Sequence, residues 1–96
     1  MTIIQQINPV SGTLYSGRNL VELATVAEKR QYKSNKWVTF LQARQLKRMI
    51  KKGEKSLSVF RGYAREERKN QEGKIRVESY PLGWAKVFNL DQTIAI

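Results

Sequence analysis

The stretch Thr39-Phe-Leu-Gln-Ala-Arg-Gln-Leu-Lys-Arg-Met-Ile-Lys-Lys-Gly53 decides how the rest of the chain is read. Thr39 followed by Gln42 has the spacing of a capping box, in which a hydroxyl and a side-chain amide satisfy backbone N–H groups at a helix start. Gly53 offers the left-handed residue that stops a helix at little cost. Between them Phe40, Ala43, Leu46 and Ile50, with Met49, predict a buried stripe. Arg44, Lys47, Arg48 and Lys51 recur at i, i+3, i+4 and i+7 and predict a cationic one. The spacing therefore predicts a helix running to Gly53 with one apolar and one basic face.

Upstream, Asn8-Pro9-Val10-Ser11-Gly12 and Ser16-Gly17 are rich in turn formers, so residues 1–18 read as an extended arm closed by turns. Leu20, Leu23, Ala24 and Ala27 predict a first helix from about Asn19 to Gln31, with Lys29 and Arg30 suiting the dipole at its end. Tyr32 to Trp37 is a short polar connector. Downstream, Ser56 to Ala64 reads as a strand, Arg65 to Gly73 (65–73) as a charged hairpin loop, and Lys74 to Tyr80 and Trp84 to Leu90 as two further strands separated by Pro81 and Gly83. The expected fold is α+β: two N-terminal helices packed on an antiparallel sheet of about three strands, in one domain spanning 1–96. Its expected core contains Leu23, Ala27, Phe40, Leu46, Ile50, Val59, Val87 and Phe88.

Composition narrows the chemistry. The 96 residues are 41% hydrophobic and 27% charged, a globular balance. They contain no Cys and no His, which excludes disulfides, thiolate nucleophiles, Cys/His zinc sites and His-assisted hydrolysis. Asp91 and seven scattered Glu form no recognisable carboxylate pair, so the chain is expected to be no enzyme, with no catalytic residues, no metal site and no cofactor. No apolar run approaches the ~18 residues of a membrane span and no basic leader opens the chain, so a cytoplasmic location without membrane association is expected.

The net charge of +10 is concentrated: residues 29–55 hold ten basic residues against Glu54 alone, whereas the remainder holds eight basic against seven acidic. Such a block suits a polyanion, because each neutralised phosphate releases counterions; it equally suits a solvated, solubilising face. On the first reading the nucleic-acid contacts are Arg44, Lys47, Arg48 and Lys51 on the helix, Lys33 and Lys36 on the connector, and Lys55 and Arg18 at the margins. Tyr15 and Tyr32, set in turn and connector among these cations, are the expected stacking faces. Trp37 and Phe40 are assigned to the core, and Trp84 is open between the two roles. Asn8, Gly12, Gly17 and Asn19 suit either a phosphate nest or the turns themselves, and Asn89 with Gln92 either base contacts or, preferably, a closing cap.

Four linked motifs carry a family resemblance: Asn8-Pro9-Val10-Ser11-Gly12 continuing through Tyr15, Gly17 and Asn19; Trp37-x-Thr39-Phe40-x-Gln42-Ala43; Lys52-Gly53-Glu54-Lys55; and Val87-Phe88-Asn89-Leu90-Asp91-Gln92. Their order and spacing resemble the N-terminal domain of ArdC-type antirestriction proteins. The resemblance implies a single-stranded-DNA-binding module of a phage or plasmid protein that protects incoming DNA, acting by occupancy. Members of that family commonly continue into a zinc metalloprotease-like domain with a His-Glu-x-x-His motif, and no histidine is present in this sequence. A free-standing copy is expected to act by occupying nucleic acid or, alternatively, by binding a host defence nuclease directly through its basic face, as an anti-restriction or anti-CRISPR inhibitor.

Overall fold

The computed structural model describes residues 3–96. In chain order the elements are α1 (Gly17–Lys29), β1 (Trp37–Val38), α2 (Phe40–Gln45), β2 (Arg48–Ile50), β3 (Leu57–Phe60), β4 (Tyr63–Lys69), β5 (Ile75–Pro81), β6 (Trp84–Asn89), a 3₁₀ turn (Leu90–Gln92) and β7 (Thr93–Ala95). The central sheet is antiparallel with order β1-β6-β3, and β2-β7 and β4-β5 form two separate two-stranded ribbons. This is the α+β architecture expected, with two N-terminal helices on a three-stranded sheet.

Alternation along β3 and β6 sends Val59 and Val87 to one face, where they meet Leu23 and Ala27 of α1 together with Tyr15 and Trp37. Trp37 is wholly buried, and its indole Nε1 donates to Gln6 Oε1 at 2.6 Å, so the N-terminal arm is stitched to the core. The arm before α1 is held by isolated bridges and a turn, Ile7 bridging both Leu14 and Lys36 and Asn8 Oδ1 accepting from the N–H groups of Val10 and Ser11, while Gly17 and Arg18 already belong to α1. Met1 and Thr2 lie outside the described residues. Val38, pointing to the other face of the sheet, is buried where α2 packs against β1 and β6.

The second helix is much shorter than its periodicity predicts. The Thr39–Gln42 capping box forms, but the helix closes after Gln45: Leu46 N–H is shared between the carbonyls of Gln42 and Ala43, and Lys47 takes a left-handed φ of 58°. Arg48, Met49 and Ile50 then pair with Ala95, Ile94 and Thr93. Strand pairing across 45 residues overrides the local helical preference. The expected core changes with it: Phe40 is 52% exposed, Leu46 is also exposed, and Ile50 and Phe88 are half-buried, whereas Leu23, Ala27, Val59 and Val87 are buried as expected.

The segment 65–73 is likewise not a loop. Most of it belongs to β4, and the hairpin turn is confined to residues 70–74, where Asn70 N–H donates to the Lys74 carbonyl. The single strand expected over 56–64 is divided by Gly62. Gly62 and Gly83 lie near one another across the ribbon with φ of 89° and 85°, values that any residue with a Cβ adopts only with strain. There two adjacent pairs are both bonded, Arg61 N–H to Gly83 O and Leu82 N–H to Gly62 O, whereas a regular antiparallel ladder bonds alternate pairs. The ladder changes phase at the glycines, and β4 and β5 continue beyond them as an exposed arm. The radius of gyration of 17.1 Å and extents of 57 × 35 × 21 Å reflect that arm; a compact chain of this length would measure about 12.5 Å.

Candidate nucleic-acid interface

The basic block does not form one helical stripe. Arg44 is exposed in the last turn of α2 and Lys47 is exposed just beyond it. Arg48 is turned inward: its guanidinium donates to Thr93 Oγ1 at 2.7 Å and to the Thr93 carbonyl at 3.3 Å, tying β2 to β7. These bonds engage Nε and Nη2 in the fold, an arrangement the expected phosphate contact does not include. Lys51 is exposed after β2 with its N–H bonded to Gln92 O at 2.9 Å. The stripe failed because the strand break at Lys47 destroys the 3.6-residue period that would have aligned these side chains.

A different device gathers part of the block. Asn89 and Gln92 form a second capping box around the 3₁₀ turn, which confirms their structural role. Their remaining atoms reach outward: Asn89 Nδ2 donates to Ser34 O at 2.9 Å and Gln92 Nε2 to Lys55 O at 2.8 Å. Asp91 Oδ2 accepts from the backbone N–H groups of Lys33 and Ser34, and Leu90 N–H donates to Lys36 O. One three-residue turn thus anchors the backbones that carry Lys33, Lys36, Lys51 and Lys55, whose side chains are exposed. Among the described residues, the ion pairs lie elsewhere: Arg18 with Glu22 on α1, and within the β4-β5 arm and its turn.

The aromatic residues are also distributed differently from the expectation. Tyr15 is only 8% exposed and belongs to the core cluster; burial raises its pKa above the ordinary tyrosine value, an effect partly offset by a hydrogen bond with Asn8. Tyr32 is half-buried, edge-on to Trp37 at a centroid distance of 6.1 Å, with its hydroxyl accepting from Arg30 Nη1. Tyr15 is thus withdrawn from solvent, and Tyr32 is only partly open.

The open aromatic surface is instead at the base of the arm. Phe60 stands between Tyr63 and Trp84, at centroid distances of 5.2 and 5.3 Å and interplanar angles of 66° and 64°. Tyr63 is 66% and Trp84 60% exposed. Phe60 is fixed from behind by Asn19, whose side chain accepts from its N–H at 3.1 Å and donates to its C=O at 2.9 Å. This amide is the role of Asn19, in place of a phosphate nest. Phe60 and Trp84 border a groove of about 740 Å³ between the N-terminal arm and the ends of β3 and β6. Its floor includes Tyr15 and Val59, its walls Asn8 and Gln42 on one side and Arg61 on the other. Asn8 Nδ2 donates to Gln42 Oε1 at 2.8 Å, holding the arm to the start of α2. Lys86, two residues from Trp84 on the same face of β6, is exposed.

Phe60, Tyr63, Arg61 and Lys86 lie outside the contacts expected from the sequence. The signal was the alternation itself: once Val59, Ala85 and Val87 are assigned inward, Phe60, Trp84 and Lys86 must share the opposite face.

The arrangement is therefore that of a small α+β binding module, with an open aromatic step beside an open groove of mixed polar and apolar lining rather than an enclosed reaction site. Residues 2–88 match the family described as the N-terminal domain of anti-restriction factor ArdC, and the chain belongs to that family. Two solved structures are similar over 96% of the chain: the metal-free antirestriction ArdC protein from plasmid R388, with 30% identity and a TM-score of 0.74, and the Mn(II)-bound form of that protein, with 27% identity and a TM-score of 0.63. The chain spans about a third of their length, 33% and 35% respectively. A comparison with curated proteins found no match. No helix among the described residues is long and apolar enough to cross a membrane, and no group of three or more His, Cys, Asp or Glu side chains among them is placed to hold a metal ion.

Proposed function

We propose that this domain binds single-stranded DNA and protects the incoming DNA of a plasmid or phage from restriction by occupying it, not by catalysis. Family membership supports the antirestriction role. The observation that carries the DNA reading is the exposed Phe60–Tyr63–Trp84 step beside Arg61 and Lys86. Contiguous exposed aromatic side chains mark binding surfaces, and stacking of a base on an aromatic side chain is worth about 1–3 kcal/mol whatever the base. Duplex DNA keeps its bases inside and cannot use such a step; a single strand can. Lys33, Lys36, Lys51 and Lys55 supply sequence-independent attraction to the backbone, with Arg44 and Lys47 adding to the field.

The experiment uses the two tryptophans. Trp37 is wholly buried and Trp84 is not, so quenching of intrinsic fluorescence by an oligothymidine reports on Trp84. Strong quenching by single strand, little by duplex, and a loss of affinity of about tenfold in Trp84→Ala are expected. Absence of both quenching and binding would instead favour the alternative, in which the basic surface docks directly on a defence nuclease of the restriction or CRISPR type.

A further inference from the structure

The β4-β5 arm is charged differently from the rest of the molecule. Residues 63–81 carry five basic and four acidic side chains, so nearly all of the net +10 lies outside them. Within the arm the cross-strand pairs are mismatched. Glu66 stands directly opposite Glu78, and Arg68 directly opposite Arg76. Like charges directly opposite one another destabilise a ribbon. The mismatch is relieved only by neighbouring contacts, Arg68 to Glu66 at 3.4 Å, Arg68 to Glu78 at 3.9 Å and Arg76 to Glu78 at 3.7 Å. Exchanging Arg76 and Glu78 would give two ideal pairs in the isolated hairpin. The native order makes sense if something beyond β5 completes the rows.

The backbone defines what can do so. Bonded pairs fall at Gly62/Leu82 and at Asn70/Lys74, and alternation between them assigns Ala64/Tyr80, Glu66/Glu78 and Arg68/Arg76 to the same class. The N–H and C=O groups of Ile75, Val77 and Ser79 therefore face away from β4, along an edge of β5 that no strand among the described residues covers. Val77 and Ile75 are exposed beside it.

We infer that this edge pairs with the same edge of a second copy, antiparallel about a twofold axis at Val77. Only registers that place a residue opposite itself keep outward groups facing outward groups. An axis at Arg76 or Glu78 sets like charges against each other, and one at Ser79 brings Val77 opposite Pro81, which has no N–H. With the axis at Val77, Val77 meets Val77, Ile75 meets Ser79, and Arg76 meets Glu78 twice. The rows then read Glu66, Glu78, Arg76 and Arg68 across four strands, opposite charges meeting at the junction. The outer edge of β4 offers no equivalent: every axis from Arg65 to Lys69 sets a charge against itself. This pairing does not depend on the DNA-binding reading.

Sedimentation of the whole chain over a concentration series tests it. The expected result is a reversible dimer whose dissociation constant rises at least tenfold in Val77→Pro, which removes an N–H aimed at the free edge together with the valine side chain on the axis, and in Arg76→Glu. The exchange Arg76→Glu with Glu78→Arg should restore the dimer. Arg76→Glu improves the pairing with Arg68 inside the hairpin, so its unchanged far-ultraviolet spectrum and melting would separate lost pairing from lost folding. A chain that stays monomeric at about 0.5 mM, a concentration at which a dimer of sub-millimolar dissociation constant is populated, overturns the proposal. So does a dimer indifferent to both single substitutions, or a charge exchange that fails to restore it.

Discussion

Asn19 uses both ends of its side-chain amide on the backbone of Phe60, and so takes the place of a neighbouring strand at that point of the edge of β3. Asn19→Ala leaves a donor and an acceptor without partners behind the aromatic step. A loss of roughly 1–3 kcal/mol in urea unfolding is expected, with weaker fluorescence quenching by single strand because Phe60 is no longer held. Tyr15 gives a prediction with a definite sign. Burial raises its folded-state pKa, so the folded protein holds that proton more tightly than the unfolded chain does. The resulting stability is complete below the unfolded value of about pH 10 and declines as pH rises through the folded one. Tyr15→Phe should remove this part of the alkaline decline in melting temperature while leaving the rest. Single polar residues were partly legible in the sequence. The Thr39–Gln42 and Asn89–Gln92 boxes follow from local spacing, whereas the links from Gln92 to Lys55 and from Asn19 to Phe60 span 37 and 41 residues and leave no local pattern.

The elements show where local reading succeeds and where it stops. α1 and β6 fall close to their expected bounds because their periodicity and their packing agree, and β5 does so although it is exposed throughout, through its pairing with β4. Between Leu46 and Gly53 they disagree, and with that helix went the expected cationic stripe. Arg48 and the lysines around the 3₁₀ turn therefore separate in a salt titration. Lys33→Gln combined with Lys36→Gln should flatten the slope of log affinity against log salt by about 1 to 1.5, near 0.7 for each phosphate left without its lysine, and should not change the melting temperature. Arg48→Gln should leave that slope alone and lower the melting temperature, since it breaks two bonds to Thr93. The arm is hidden from local reading for a related reason: β4 reads Tyr-Ala-Arg-Glu-Glu-Arg-Lys, with exposed charges where a buried strand would alternate. Its ordering rests on hairpin pairing and on the glycines at its base. Gly62→Ala should cost about 1 kcal/mol, because open space surrounds the added methyl and only the backbone conformation is strained.

At the scale of the whole molecule, a body carrying most of the positive charge and an arm of balanced charge divide the surface into two electrostatically distinct parts. The pairing of β2 with β7 has a consequence for how the chain is made. Met49 leaves the ribosome 45 residues ahead of Ile94, its partner. At about 5–20 residues per second, several seconds pass in which nothing competes with the helical preference of residues 46–52. The nascent chain is then free to extend α2 by two turns toward Gly53. Its last folding step exchanges those turns for a strand, a transition that ribosome-stalled chains of increasing length would display as helix content that rises and then falls.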